Sequence, residues 1–398
     1  MSGTPSPANL INMIYKKILL LPAAAALLTG CSFGASIDTL MSPPKLSYEQ
    51  EQIYSALTDA TGNNISLKYP KSGKYLSAFI IEDIDGDGGN EALVFYEKSS
   101  IAVEENTLRF NILDKDGGKW HSVEDKPVEG SEIEKVMISK IGSGDRMNLI
   151  IGSSQINRSE KNVAIYNYSD GTIQRIFRPS PYSYFNVMDL NTDGENEFLL
   201  LKSSSSSSPA SAVAYRLDSK GFHKYSQELS GSFTEFDEPS YGLMGNGKTG
   251  LYIDAVSLAG YIQSDIIYMD ESGLHKVFAT SGESLSTIRP SGCATFDIDS
   301  DGIPEIPVQK VSPGYEDASE SERMKITEWM YVTNDNSLKK KYTSYYSVNE
   351  GYIFVFPERW ENRVNIQAVS VMLADQRHAA KRDLRHYDIT TLRRFPQF

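Results

Sequence analysis

The sequence has little cysteine, no excess of basic residues and few long apolar segments. Two cysteines in 398 residues, Cys31 and Cys293, exclude a framework of several disulfides. Lysine and arginine number 39 against 52 acidic residues, which gives a net charge of −13. This balance argues against nucleic acid as a partner, because a phosphate backbone is bound by basic surface. Beyond the N-terminal region, no segment has the length of a transmembrane helix.

Motifs of the common enzyme classes are also missing. The sequence has no histidine pair at the spacing of zinc ligands, no Gly-x-Ser-x-Gly segment and no glycine-rich loop typical of phosphate binding. His121, His223 and His275 each come after a predicted hairpin turn, so they are not expected to converge. A carboxylate pair assembled from distant segments, as in glycosidases, stays open. The sequence favours a protein that is not an enzyme, without deciding the question.

Three segments of nine residues share one acidic pattern. They are called loops 1, 2 and 3, and they run over 83–91, 189–197 and 297–305. Side chains with oxygen atoms occupy positions 1, 3, 5 and 9, and glycine occupies position 6. Ca²⁺ takes about six to eight oxygen ligands, and alternate residues of a tight turn can point theirs inward. The repeated spacing favours a metal site over a solvated acidic turn, although Asp-Gly also favours turns.

An EF-hand is excluded by the apolar residues directly after each loop. An EF-hand needs a glutamate at position 12 of its loop, whereas that position holds Val94, Leu200 and Val308. The flanking segments are short and rich in β-branched and aromatic residues, which predicts strands rather than helices. The ion is therefore expected in a turn between two strands.

A second pattern repeats along most of the chain. Short alternating segments are joined by turns with aspartate or asparagine and usually glycine, which predicts hairpins. The predicted hairpins are 110–117, 164–171, 214–221, 267–273 and 330–336. Two glycine-containing turns that lack most of the acids, 142–148 and 245–250, occupy the places of the missing acidic loops. Each repeat is therefore expected to form four short antiparallel strands.

Repeats of this size, with Asp-x-Asp-x-Asp-Gly-x-x-Glu between the first two strands, resemble the FG-GAP/VCBS repeats of integrin-α-type β-propellers. The resemblance covers about residues 67–346. It implies structural Ca²⁺, up to three ions in all, bound by the side chains at positions 1, 3, 5 and 9 and by the carbonyl group at position 7. The implied ligands are Asp83, Asp85, Asp87, Gly89 and Glu91 in loop 1, Asp189, Asn191, Asp193, Glu195 and Glu197 in loop 2, and Asp297, Asp299, Asp301, Ile303 and Glu305 in loop 3.

The expected fold is an all-β β-propeller of four-stranded antiparallel blades, preceded by a short helix over 47–59 that Ser47 caps. Five repeats are detected, whereas integrin propellers have seven blades, so a ring of six or seven blades stays open. A sixth blade could be assembled from residues 64–69 and 352–356. The resemblance is incomplete, because no clear Phe-Gly and Gly-Ala-Pro pair is present.

An apolar segment near the N-terminus has the layout of a secretory signal. Two lysines precede the apolar residues 18–28, and the segment ends in Leu-Thr-Gly-Cys31. This ending resembles the lipobox of bacterial lipoproteins, which implies a lipid on the Cys31 thiol and a protein held at a membrane outside the cytoplasm. The expected organisation is a signal peptide at 1–31, a tether and helix at 32–62, the propeller at 63–350 and a blade closure or small appendage with a basic tail at 351–398.

Recognition is expected in the connections between the second and third strands of each repeat. These connections differ from one another, and variable loops on a rigid scaffold commonly carry binding function. The candidate contact residues are Tyr261, Tyr315, Glu316, Asp317 and Glu320. Two hypotheses result. The first is a membrane-anchored binding or scaffold module for protein or glycan, and the alternative is an extracytoplasmic polysaccharide hydrolase or lyase.

Overall fold

The structure is a computed structural model that describes residues 46–99, 107–144, 146–156, 160–169, 171–257, 260–319, 322–347, 351–361, 363 and 366. The chain divides into two units, Met1–Glu51 and Gln52–Phe398. The predicted signal peptide, the lipidation residue Cys31 and the basic tail lie outside the described residues. None of the helices in the described ranges combines the length and hydropathy needed to span a bilayer.

Helix α1, Tyr48–Thr61, confirms the helix predicted near the N-terminus. The Ser47 hydroxyl accepts a hydrogen bond from the Gln50 amide at 3.2 Å, and the Gln50 side chain accepts one from the Ser47 amide at 3.0 Å. This reciprocal pair satisfies two amide groups that the first helical turn would otherwise leave unpaired. Ile53 and Leu57 lie one turn apart and are both fully buried, so the helix presents one apolar face.

The described strands form five antiparallel sheets, called sheets I to V. Sheet I contains β1 Ile65–Leu67, β2 Phe79–Glu82, β3 Glu91–Lys98, β4 Leu108–Asp116 and β5 Lys119–Pro127. Sheet II contains β6 Glu132–Ser139, β7 Asn148–Ser154, β8 Lys161–Ser169 and β9 Thr172–Tyr182. Sheet III contains β10 Tyr184–Met188, β11 Glu197–Lys202, β12 Ser211–Asp218 and β13 Gly221–Glu228. Sheet IV contains β14 Phe233–Phe236, β15 Ser240–Leu243, β16 Thr249–Ser257, β17 Ile262–Asp270 and β18 Gly273–Lys276. Sheet V contains β19 Ile306–Val311, β20 Lys325–Val332, β21 Leu338–Ser347 and β22 Tyr352–Val355. Helix α2, Ser281–Leu285, and a 3₁₀ turn, Glu358–Trp360, complete the described elements.

All five predicted hairpins are confirmed. They join β4 to β5, β8 to β9, β12 to β13, β17 to β18 and β20 to β21. In sheets III and IV the last paired residues are Asp218 with Gly221 and Asp270 with Gly273, so two residues make each turn. In sheet V the turn uses Asn336 at a φ of 64°, a left-handed conformation that asparagine tolerates.

The predicted sixth blade is wrong, because its two segments belong to different sheets. Strand β1 pairs with β3, with Ile65 opposite Lys98, and β22 pairs with β21, with Tyr352 opposite Ser347. The physical reason is strand length. β3 has eight residues and β2 only four, so β3 keeps an unpaired end that β1 covers. The described part of the chain therefore contains five sheets.

Buried apolar side chains fill the spaces between successive sheets. Phe110 of sheet I packs against Tyr166 of sheet II with ring centroids 5.3 Å apart. Further clusters join Ile150 to Phe198, Leu199 to Ile253, and Tyr252 to Ile306, which connect sheets II to III, III to IV and IV to V. In sheets I to IV one strand of each sheet, β3, β7, β11 or β16, is buried on both faces over most of its length, as in Ala92–Tyr96. Because both faces are buried, these strands contain continuously apolar segments rather than alternating ones.

Candidate metal centre

The three acidic loops share one backbone conformation. Each has two left-handed residues, at positions 4 and 6. Position 4 is Gly86 (φ 84°), Thr192 (φ 60°) or Ser300 (φ 62°), and position 6 is Gly88 (φ 91°), Gly194 (φ 88°) or Gly302 (φ 86°). The predicted role of the glycine at position 6 is confirmed. Position 4 was not predicted, because threonine and serine seldom adopt this conformation.

The first aspartate of each loop holds the turn by accepting hydrogen bonds from backbone amides. In loop 1 the Asp83 carboxylate accepts from the amides of Gly86 at 2.6 Å and Gly88 at 3.1 Å. Asp189 and Asp297 accept from the amides at positions 5 and 6 of their own loops, at 2.7–3.1 Å. The third aspartate accepts from the amide at position 7, so Asp87 bonds Gly89 at 2.6 Å. The loops are therefore preorganised with their carboxylates turned inward.

The glutamate at position 9 closes each loop. Glu91, Glu197 and Glu305 are almost fully buried, with at most 1% exposed. Each accepts a hydrogen bond from the amide at position 2, namely Ile84 at 2.7 Å, Leu190 at 2.9 Å and Ile298 at 3.0 Å. Because the glutamate stands at or directly before the first residue of β3, β11 or β19, its carboxylate ties the start of the loop to the sheet.

Burial raises the pKa of all three position 9 glutamates. In loop 1 burial, together with the charges of Asp85 and Asp114, raises the pKa of Glu91 to about 7. In loops 2 and 3 the Arg216 guanidinium and the Lys341 ammonium oppose the effect of burial on the pKa of Glu197 and Glu305. A buried carboxylate of raised pKa favours a nearby positive charge.

Two of the three loops bring carboxylates together in groups that could hold a metal ion. In loop 1 one oxygen from each of Asp83, Asp85 and Glu91 lies within 4.8 Å of the others. In loop 3 Asp297, Asp299 and Glu305 do the same. These donors are all oxygen atoms, which suits a hard divalent cation rather than one that prefers nitrogen or sulfur. The carbonyl groups of Gly89, Glu195 and Ile303 stay predictions as ligands.

Loop 2 differs, because an arginine from the neighbouring strand enters it. Asn191 replaces the acid at position 3 and donates from its side-chain amide to Asp193 at 2.8 Å. The Arg216 guanidinium donates to Glu197 from two nitrogens at 3.2 Å each, and to Asp193 at 3.1 Å. Loop 2 thus gathers two of its carboxylates around a side-chain cation.

A lysine enters loop 3. Lys341 Nζ lies 2.6 Å from Asp301, 2.8 Å from Glu305 and 2.9 Å from Asp299. The Tyr342 hydroxyl donates to Asp299 at 2.6 Å. Lys341 reaches the loop because the ladder between β20 and β21 shifts register at Trp329 and Met330. Sequence patterns missed both Arg216 and Lys341. Arg216 lies in the predicted hairpin 214–221. Pairing the first strand of that hairpin with the strand after loop 2 would have placed Arg216 opposite Glu197.

The two glycine-containing turns of the second and fourth repeats contact neighbouring sheets closely. The Gly142 amide donates to the carbonyl oxygen of Asn196 in loop 2 at 2.8 Å. The Gly245 amide donates to the carbonyl oxygen of Val332 in sheet V at 2.8 Å. A Cβ atom at Gly142 would stand 1.9 Å from the Leu217 carbonyl oxygen, so only glycine fits. These glycines serve contact between sheets as well as the turn.

The connections predicted between the second and third strands of these repeats lie between β16 and β17 and between β19 and β20, and they contain Tyr261, Tyr315, Glu316 and Asp317. Tyr261 precedes β17 and is 49% exposed. In the connection between β19 and β20, Tyr315 is half-buried, whereas Glu316 and Asp317 are exposed. Glu320 lies outside the described residues. A common ligand for these side chains stays a prediction. His223 and His275 bond the aspartates of their own hairpins, Asp218 and Asp270, both at 2.9 Å.

Comparison with protein-family models gives no match, and comparison with the sequences of curated proteins also gives none. Comparison with solved structures gives distant similarities. A hypothetical protein from Leishmania major is 12% identical, with 76% of this chain and 97% of that one covered, at a TM-score of 0.24. Fructan 1-exohydrolase IIa from Cichorium intybus is 11% identical, with 77% and 63% covered, at 0.26. A putative exo-β-1,3-galactanase from Bifidobacterium bifidum is 12% identical, with 74% and 96% covered, at 0.24. TM-scores this low support no conclusion about fold or activity.

Proposed function

We propose that this protein is a lipid-anchored, extracytoplasmic binding module whose recognition loops stand on a calcium-stabilised β-propeller. The observation that carries the proposal is the shared geometry of the acidic loops. The same backbone occurs three times, each time with a buried glutamate bonded to the amide at position 2. A turn repeated in this form serves a scaffold, because catalysis would need only one site. The successive packing of sheets I to V supports a propeller arrangement of the blades.

Calcium is proposed as the ion because the gathered donors are all carboxylate oxygens, and Ca²⁺ accepts varied arrangements of oxygen ligands, whereas Mg²⁺ needs nearly ideal octahedral geometry. Its role is structural. The ion would join the carboxylates of Asp83, Asp85 and Glu91, and would thereby connect the loop to the first residue of β3. An ion that binds only the folded state stabilises that state by mass action.

Removal of divalent cations tests this part of the proposal. Chelation should lower the melting temperature by about 2–4 °C, and excess Ca²⁺ should restore it, since saturation at about 100 times Kd contributes about 2.7 kcal/mol. Asp85→Ala should melt at about the temperature of the chelated wild type, whether or not Ca²⁺ is present. Asn246→Ala, in a turn without the acidic pattern, should keep the response to Ca²⁺. An unchanged melting temperature on chelation would contradict the metal site.

The proposed ligands are proteins or glycans that contact the connections between second and third strands. Tyr261 supplies an exposed aromatic surface there, and Glu316 and Asp317 make the connection in sheet V acidic. Aromatic side chains provide large contact areas at little cost in conformational entropy. The wild-type protein should bind at least one member of a panel of purified polysaccharides and exported proteins.

Tyr261→Ala should weaken that binding about tenfold or more, as expected when an aromatic contact is removed. Tyr69→Ala is the matched control, because Tyr69 is also exposed, at 56%, but precedes β2 rather than lying in one of these connections. Equal loss of binding in both variants would contradict the assignment of the surface. Release of new reducing ends from a bound polysaccharide would favour the hydrolase instead.

A further inference from the structure

The residue that faces the position 9 glutamate differs between sheets I and III. In sheet I, Ala92 pairs with Leu113, so Asp114 stands opposite Glu91. In sheet III, Phe198 pairs with Tyr215, so Arg216 stands opposite Glu197. The same place on the same scaffold is therefore negative beside loop 1 and positive beside loop 2.

Loop 3 obtains a positive charge by another route. Tyr331 stands opposite Glu305, because Ile306 pairs with Met330. The shifted register in the next ladder leaves Lys341 between the paired residues Lys340 and Tyr342, and the Lys341 side chain extends into the loop. Its ammonium contacts the carboxylates at positions 3, 5 and 9 at 2.6–2.9 Å. These are positions from which the metal ligands of the loop are expected.

Loop 1 has four carboxylates, as loop 3 does, but the described part of the chain places an aspartate rather than a cation beside them. Its carboxylates are Asp83, Asp85, Asp87 and Glu91, and the charge of Asp114 acts on Glu91. Among the described residues, no lysine or arginine forms an ion pair with these four carboxylates. Glu91 is 1% exposed, and a buried carboxylate that stays ionised needs a compensating positive charge. The two related loops show that this backbone surrounds a cationic centre.

We infer that Arg216 and Lys341 are built-in counter-ions that take the place of a metal ion in loops 2 and 3, so that the chain binds one divalent cation, at loop 1. The inference rests on the proposed function, because it assumes that loop 1 binds calcium. The inference also goes beyond the proposed function, because it assigns a role to two residues outside the acidic pattern and reduces three expected ions to one.

The number of bound ions tests the inference. Calorimetric titration of the purified protein with Ca²⁺ should give one site per chain, and Asp85→Asn should abolish it. Lys341→Met should bind two ions, because the carboxylates of loop 3 lose their internal cation. Lys339→Met is the matched control, since Lys339 is an exposed lysine of the same strand, and it should still bind one ion. Arg216→Met gives an independent gain of a second site in loop 2.

The outcomes separate this inference from the proposed function. Two or three ions bound by the wild type would overturn the inference alone, and so would Lys341→Met and Arg216→Met variants that fold but still bind one ion. A wild-type protein that binds no ion would overturn the metal site and the inference together. If Lys341→Met folds only in millimolar Ca²⁺, whereas Lys339→Met folds without it, the result supports the inference. The wild-type count and Asp85→Asn decide the matter even where a counter-ion variant fails to fold.

Discussion

At the scale of single residues, Glu134 shows how charge is buried between segments. This residue of β6 accepts hydrogen bonds from Lys71 and from the Ser154 hydroxyl, both at 2.7 Å, and pairs with Lys161 at 3.1 Å. Burial would raise the pKa of Glu134, but these three partners outweigh it and lower the pKa to about 2. The pKa in the folded protein therefore lies below the ordinary value of about 4.3. Ionised Glu134 therefore stabilises the folded state at pH values above about 4.3. This stabilisation is lost as the pH falls towards 2.

Glu134→Gln should lower the free energy of unfolding by about 1–3 kcal/mol at pH 7, because the half-exposed Lys71 and Lys161 lose the mostly buried carboxylate with which they pair. The difference from wild type should shrink by about half at pH 3, where the unfolded chain is already protonated. Chemical denaturation at the two pH values measures both effects. Glu129→Gln is the control, because the ion pair of Glu129 with Arg175 is exposed and should contribute little at either pH. A difference that stays constant with pH would contradict the assigned role of the Glu134 charge.

The acidic pattern identified the loops and the turn at position 6, because both result from residue spacing within nine residues. It could not identify the charges that balance each loop. Arg216 lies 19 residues from Glu197, and Lys341 lies 36 residues from Glu305. Their approach depends on strand register, and for Lys341 on an irregularity in that register. Long-range pairing of this kind is not encoded in a local pattern.

At the scale of elements, the glycine turns show that contact between sheets constrains the sequence outside the strands. The turn at Gly142 joins β6 to β7, and its amide bonds loop 2 of sheet III. Gly142 has a φ of 71°, and a Cβ atom there would overlap the backbone of β12 at Leu217. Close approach of two sheets thus depends on the missing side chain.

Gly142→Ala should lower the free energy of unfolding by more than about 2 kcal/mol, because a left-handed conformation and a steric overlap are combined. Gly247→Ala separates the two effects. Gly247 has a similar φ of 77°, but a Cβ atom there would meet nothing within 4 Å, so a loss near 1 kcal/mol is expected. Equal losses in urea denaturation would show that the approach to Leu217 is unimportant.

The five hairpins could be predicted because each combines alternation and turn chemistry within about eight residues. The pairing of the first strands could not be predicted in the same way. In sheet I both β1 and β2 pair with β3, and in sheet IV both β14 and β15 pair with β16. Which neighbour a short strand joins is decided by the length left unpaired on a distant partner. The misplaced sixth blade has the same cause.

At the scale of the whole molecule, the sheets succeed one another along the chain and each packs on the next. Such packing lets a long chain bury several separate cores rather than a single large one. Because the N-terminal segment resembles a lipobox, we propose that a lipid on Cys31 holds this assembly at a membrane. Cys31 lies outside the described residues.

Cys31→Ser should move the protein from the membrane fraction to the soluble extracytoplasmic fraction, because lipid chains supply stable anchoring. Metabolic labelling with a fatty-acid analogue should mark the wild type and not the variant. Cys293→Ser is the control, since the Cys293 thiol is fully buried in the folded part of the chain. Labelling that persists in Cys31→Ser would contradict the lipid attachment.

The irregular ladder that exposes Lys341 to loop 3 also limits how this repeat can change in length. Deleting one residue of β21 there would restore regular pairing with β20 and would withdraw the ammonium from the three carboxylates together. Insertion or deletion of a single residue at this place would therefore change the charge balance of loop 3, about 40 residues earlier in the chain.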